Sequence, residues 1–185
     1  MFDPACLLVP ERARALPVGA KEREFAALCL RLVWHAVFDT CPGLLAATTP
    51  DGARVLEPFL AWAQDRRLAM DWTLHAHLLA WLIANPAVGV TLTREHVVEL
   101  LAATASRWAL GDQGPDTGIL LTTRLLPGEG MLAWKPPSLE EGRKVLLVRL
   151  DGVEVPLVDL GWVTLADEAA LTQVDGAAPW AHLPA

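Results

Sequence analysis

The spacing of apolar residues changes once along the chain, at residues 111–116, and this change constrains the fold most strongly. Before this point, apolar residues recur at helical intervals in four segments, at residues 20–40, 54–70, 71–85 and 93–109. After it, short runs rich in Val, Leu and Ile have the composition and two-residue period of β-strands. The sequence therefore predicts an α+β fold with a bundle of about four helices followed by an antiparallel sheet.

The C-terminal part contains strand-like runs at residues 119–125, 131–135, 144–150 and 153–160. Asp151-Gly152 separates the last two runs and is typical of a two-residue hairpin turn, which needs positive φ angles. Pro156 cannot donate a backbone hydrogen bond, so we expect its strand to lie at an edge of the sheet or to be bulged. Residues 166–174 predict a short closing helix. The pattern as a whole predicts a β-meander and a short helix.

The linker divides the chain into a helical part at residues 1–110 and a β part at residues 117–185. GDQGPD is rich in the residues that interrupt regular structure, which favours a boundary here. The two parts could be separate subdomains or could share one continuous core. Both alternatives remain open from the sequence.

Two of the predicted helices differ in the way their apolar residues are arranged. In the first helix the apolar positions form one stripe, which we expect to be buried: Phe25, Leu28, Cys29, Leu32 and Ala36. The third helix, at residues 71–85, is apolar around nearly its whole circumference, which is typical of a central helix.

Composition indicates a folded chain and disfavours a nucleic-acid-binding role. Hydrophobic residues make up 53% of the sequence and charged residues 20%, the opposite of the balance in disordered proteins. The formal net charge of −7 would repel a phosphate backbone. A nucleic-acid-associated protein remains an alternative through a local basic face, whose candidates are Arg12, Arg14, Lys21, Arg23, Arg31, Arg66 and Arg67.

The sequence favours a cytoplasmic location. Its three cysteines contain no CxxC pair, so no disulfide framework is expected. The first residues lack the basic and long apolar regions of a signal peptide. The most apolar window, residues 78–90, is too short for a bilayer and is interrupted at Asn85-Pro86, so we expect no membrane span.

Histidine and aspartate pairs provide the one candidate metal site. His35 and Asp39 are four residues apart on one predicted helix, and Asp71 and His75 are four apart on another. If these helices faced each other, the four side chains could hold a transition metal, as in a small metal-dependent enzyme. The Glu-x-x-His signature of di-iron bundles is absent. On a helix, His75 and His77 would point about 200° apart, and we expect one to be buried and the other to reach solvent.

Other catalytic signatures are missing from the sequence. No glycine-rich loop joins a strand to a helix, as phosphate binding requires, and neither Ser106 nor Ser138 lies between glycines. Cys41 follows the end of a predicted helix, where the helix dipole would raise the pKa of a thiol. We therefore expect a non-enzymatic protein without a metal or cofactor.

The chain has eight tryptophans and no tyrosine, and tryptophan is enriched at protein interfaces. The predicted function is a non-catalytic interaction or scaffold subunit of a multi-protein assembly. It would bind a partner protein or peptide through an apolar, tryptophan-bearing surface and a sheet edge. The partner could also be a second copy, giving a homo-oligomer. The candidate interface residues are Trp180, Trp134, Leu7 and Leu8.

Overall fold

The structure is a computed structural model. It describes residues 10–48, 52–111, 114–136, 144–174 and 178–183, without the side chains of Pro10, Arg12 and Ala13. Its helices are α1 (Pro10–Ala15), α2 (Lys21–Phe38), α3 (Pro42–Ala47), α4 (Ala53–Asp65), α5 (Leu74–Ala84) and α6 (Arg94–Gly111). Its strands are β1 (Gly118–Thr122), β2 (Glu129–Trp134), β3 (Lys144–Arg149), β4 (Gly161–Leu165) and β5 (Ala181–His182). The predicted α+β class, with helices before an antiparallel sheet, is confirmed.

The described residues form two compact units, and the division does not follow the linker at residues 111–116. The first unit comprises the described residues within Met1–Ala69 and Asn85–Thr91, and the second comprises those within Met70–Ala84 and Leu92–Ala185. Helices α1 to α4 therefore belong to one unit. Helices α5 and α6 belong to the unit that contains the sheet.

In the first unit, α3 begins at a proline, because Pro42 is its first residue. A proline is tolerated there because the N–H of the first helical residue has no partner within the helix. Gly52 precedes α4 with a φ of 75°, and a Cβ atom there would come within 2.5 Å of the Phe38 ring. Glycine is thus required at this turn by both backbone and packing.

The predicted burial of α2 is wrong. Phe25 and Leu28 are each 51% exposed and Leu32 is 61% exposed, while Cys29 is only partly buried. The buried residues of α2 are Ala26, Val37 and Phe38. This helix has apolar residues on two faces, and the sequence pattern alone does not determine which face meets the core.

In the second unit, α5 is the central helix that its composition predicts. Every residue from Leu74 to Leu79 is buried. It packs beside α6, and α6 also packs against β1, β2 and β3. A short 3₁₀ helix, Glu168–Gln173, forms within the predicted closing helix, and the side chain of Asp167 accepts a hydrogen bond from Ala170 N at 3.0 Å.

The sheet has the strand order β3-β2-β1-β4-β5, and all neighbouring pairs are antiparallel. Strands β1 to β3 form the predicted meander. The fourth strand returns to lie beside β1, which gives the Greek-key order. The predicted strand at residues 153–160 is not formed, and β4 lies immediately after it. Because Pro156 cannot donate to a ladder, it disfavours strand pairing here, and the chain pairs with β1 only from Gly161 onward.

Candidate functional site

One face of the sheet carries an apolar row that runs across four strands to an exposed end. Leu132 on β2 lies opposite Leu120 on β1 and Leu146 on β3, and Leu120 also lies opposite Val163 on β4. Leu120, Leu132 and Val163 are at most 4% exposed, whereas Leu146 is 51% exposed. Directly opposed residues share a face of the sheet. The row is therefore covered in the centre of the sheet and uncovered at β3.

The other face repeats this arrangement. Leu121 lies opposite Met131, which lies opposite Leu147. Leu121 and Met131 are at most 2% exposed, but Leu147 is 37% exposed. Apolar side chains thus reach the outer margin of β3 on both faces of the sheet.

Strand β3 is an edge of the sheet within the described part of the chain. An edge strand presents backbone N–H and C=O groups that can pair with another strand. A strand added to β3 would extend the ladder and cover Leu146 and Leu147 together. The arrangement can therefore bind an extended polypeptide by β-augmentation.

Positive charges mark both ends of β3. Lys144 begins the strand and Arg149 ends it, and both are exposed. Arg149 Nη2 lies 3.4 Å from Asp151 Oδ1, and both side chains are about four-fifths exposed. Terminal cations are a common feature of edge strands, because they keep such strands soluble. The strand between these two charges is apolar.

Trp134 and Trp180, predicted as interface residues, pack on the face of the sheet that carries Leu146. Both are partly buried against a core that includes Leu132. The Trp134 ring lies over Gly118 on the neighbouring strand, where a Cβ atom would collide with it. Trp134 therefore supports the sheet and borders β3 through its pairing with Lys144. The other two predicted interface residues, Leu7 and Leu8, lie outside the described residues.

The four candidate metal ligands are divided between the two units. His35 Nδ1 lies 3.1 Å from Asp39 Oδ2 on the exposed face of α2, in the first unit. Asp71 and His75 belong to the second unit. Asp71 Oδ1 accepts hydrogen bonds from the backbone and hydroxyl groups of Thr73, at 2.8 and 2.7 Å. Among the described residues, no three His, Cys, Asp or Glu side chains lie together as a metal site requires.

Both histidines of α5 are buried, so the prediction that one of them reaches solvent is wrong. His75 is fully buried and His77 is 8% exposed. The physical reason is that α5 is covered on opposite sides, and an angle of about 200° between two side chains then leaves neither in water. Burial lowers the pKa of His77, and the charge of Asp71 partly opposes that shift.

Two of the candidate basic residues of the first unit have local partners. Arg14 pairs with Glu57, and the guanidinium of Arg66 lies 4.8 Å from the centre of the Trp62 ring. The Arg12 side chain lies outside the described ones. These contacts are those of solvated, locally compensated charges.

Sequence reasoning missed Leu146 and Leu147. They lie in an apolar run that matches a strand buried on both faces. The signal that could have identified an edge was the placement of Lys144 and Arg149 at its two ends, because lysine and other charges protect edge strands.

Comparison with known proteins identifies a family whose model matches most of the chain. The family model described as methanobactin biosynthesis cassette protein MbnC-like matches residues 17–184. No curated protein matches the chain. In the described part of the chain, no helix is long and apolar enough to cross a bilayer.

Proposed function

The chain belongs to the MbnC-like family of methanobactin biosynthesis cassette proteins, and from this premise we propose that it is a non-catalytic subunit in methanobactin biosynthesis. It binds a partner protein or peptide along the edge strand β3. The observation that carries this proposal is the pair of exposed leucines, Leu146 and Leu147, at the end of two otherwise buried apolar rows.

The bound segment would be extended and apolar. Backbone hydrogen bonds to β3 supply part of the affinity, and the side chains that alternate on the bound strand select the partner. One side chain would lie beside Leu146 and the next beside Leu147, since successive residues of a strand point to opposite faces. A segment with a small or charged residue at either position would leave the corresponding leucine uncovered.

Trp134 and Trp180 support the same surface. They pack against a core that includes Leu120 and Leu132, which belong to the same row as Leu146. A tryptophan packed in this way stabilises the sheet of which β3 is the edge strand. The partner therefore binds a strand that is already ordered. Such preorganisation reduces the entropy lost on binding.

We also propose that the protein works in the cytoplasm. The three cysteines of the sequence lack the spacing of a disulfide framework. Few and irregularly spaced cysteines are typical of proteins from a reducing compartment, where disulfides do not persist.

The proposal can be tested by co-expression with the other products of the host biosynthesis cassette, using an affinity tag on this chain. Leu146→Lys places a charge where the partner strand would lie and should reduce retention of the partner at least about tenfold. Leu157→Lys is the matched control, because Leu157 is 82% exposed and lies outside the strands. Equal retention by the wild type and Leu146→Lys would contradict a role for this edge.

A further inference from the structure

We propose that a second copy of this chain docks on the exposed face of α2, in an antiparallel helix pair. The α2 stripe consists of Phe25, Leu28 and Leu32. It lies in the first unit, whereas β3 lies in the second. This inference therefore goes beyond the proposed function and does not depend on it.

The exposure of the α2 stripe is the first observation. All three side chains are more than half exposed, although the helix already buries Ala26, Val37 and Phe38 on another face. Leucine and phenylalanine gain free energy when they leave water, so a contiguous stripe of them is typical of an interface.

The spacing of the stripe suits a partner helix. With Lys21, the stripe follows intervals of four, three and four residues, the spacing of the a and d positions in helices that pack side by side. Lys21 can lie across the facing Leu32 with its aliphatic stem and keep its ammonium group in water. One helix face thus forms a continuous seam over three turns.

Charges beside the seam indicate a second copy and set its direction. Glu24 and Arg31 flank the stripe on the same side, seven residues apart, and both are exposed. In an antiparallel pair, Glu24 of each copy lies opposite Arg31 of the other. The twofold symmetry of the dimer therefore gives two equivalent ion pairs. Within the described residues, neither side chain has an ion-pair partner of its own.

A parallel arrangement lacks this complementarity. It would place Lys21 against Lys21 of the other copy in the seam, and residues Glu24 and Arg31 would face Cys29 and Ala36. The charge pattern therefore favours the antiparallel pair.

The interface is small, and its affinity should be low. One helix face buries less than the roughly 800 Å² per partner of a standard stable interface. We expect a dimer that forms at high concentration and dissociates on dilution.

Sedimentation equilibrium of the full chain up to about 0.5 mM tests this inference, since small interfaces hold their partners weakly. Leu28→Gln keeps a good helix former but removes the apolar contact, and it should raise the dissociation constant at least about tenfold. Leu157→Lys is again the control and should dimerise like the wild type.

A charge exchange distinguishes the proposed geometry from other dimers. Glu24→Arg and Arg31→Glu should each weaken the dimer about fivefold or more, because each replaces two attractive pairs by two repulsive ones. The double variant should recover the wild-type dissociation constant. A wild type that is monomeric throughout, or a dimer insensitive to Leu28→Gln and to both charge variants, would overturn the proposal.

Discussion

Leu146 lies directly opposite Leu132 in the pairing of β3 with β2, yet Leu132 is 4% exposed and Leu146 is 51% exposed. The two leucines share a face of the sheet and differ only in what covers them. This difference defines the margin of the folded core, and the account of a partner-binding edge rests on it.

The same pair gives a first prediction. Leu132→Ala should lower the free energy of unfolding by about 2–4 kcal/mol, because it leaves a cavity in the core. Leu146→Ala should cost less than about 1 kcal/mol, because half of the side chain is already in water. Urea unfolding of both variants measures the difference. Equal losses would mean that Leu146 is buried within the isolated chain.

The contact between Trp134 and Gly118 gives a second prediction. Gly118→Ala should destabilise the protein by about 1–3 kcal/mol, because the added methyl group collides with the Trp134 ring. In a Trp134→Ala background the same change should cost markedly less, since the ring is gone. A double-mutant cycle measured by thermal unfolding gives the coupling. If the losses of stability in the two single variants simply add in the double variant, Gly118 and Trp134 do not interact.

Gly52 provides a third prediction with a natural control at Gly19. Both glycines have positive φ angles, 75° and 84°, but only Gly52 faces another side chain, the ring of Phe38. Gly19→Ala should cost about 1 kcal/mol for backbone strain alone. Gly52→Ala should cost more, because the ring must also move. Equal unfolding free energies for the two variants would contradict this packing.

Burial of His77 predicts a dependence of stability on pH. Its pKa is lowered in the folded state by burial, so the folded protein binds a proton less readily than the unfolded chain. The stabilising contribution is fully present above the unfolded pKa of about 6.5 and is lost as the pH falls below it, towards the lowered folded pKa. His77→Gln should flatten the unfolding free energy between about pH 7.5 and 5.5. If the pH dependence of the unfolding free energy is the same in the variant and the wild type, the His77 side chain is exposed to water.

Local sequence patterns predicted much of the architecture. The four long helices, the change to strands after residues 111–116 and the central position of α5 follow from periodicity and from residues such as Pro86 that end helices. Such signals act within one or two turns of chain, where neighbouring side chains determine the backbone conformation.

The remaining features depend on contacts between distant residues. The sequence offers an apolar run before and after Pro156, and only pairing with β1 selects Gly161–Leu165 as the strand. Likewise, α2 has two apolar faces, and tertiary packing selects the one with Ala26. The edge position of Leu146 arises from strand order, which local patterns do not encode.

Salt provides a further test of the binding surface. The proposed contact at β3 is apolar, so the affinity for the partner should change little between low and high ionic strength. A titration followed by calorimetry at two salt concentrations measures this. A large loss of affinity in salt would assign the binding energy to Lys144 and Arg149 instead.

Hydrogen exchange of the β3 amides, with and without the bound partner from the cassette, tests the central claim most directly. Addition of a strand to this edge forms new backbone hydrogen bonds, so amides within Lys144–Arg149 should exchange more slowly in the complex. Leu157 and its neighbours, outside the sheet, should exchange as before. A complex that leaves β3 unprotected and slows exchange only elsewhere would contradict the account.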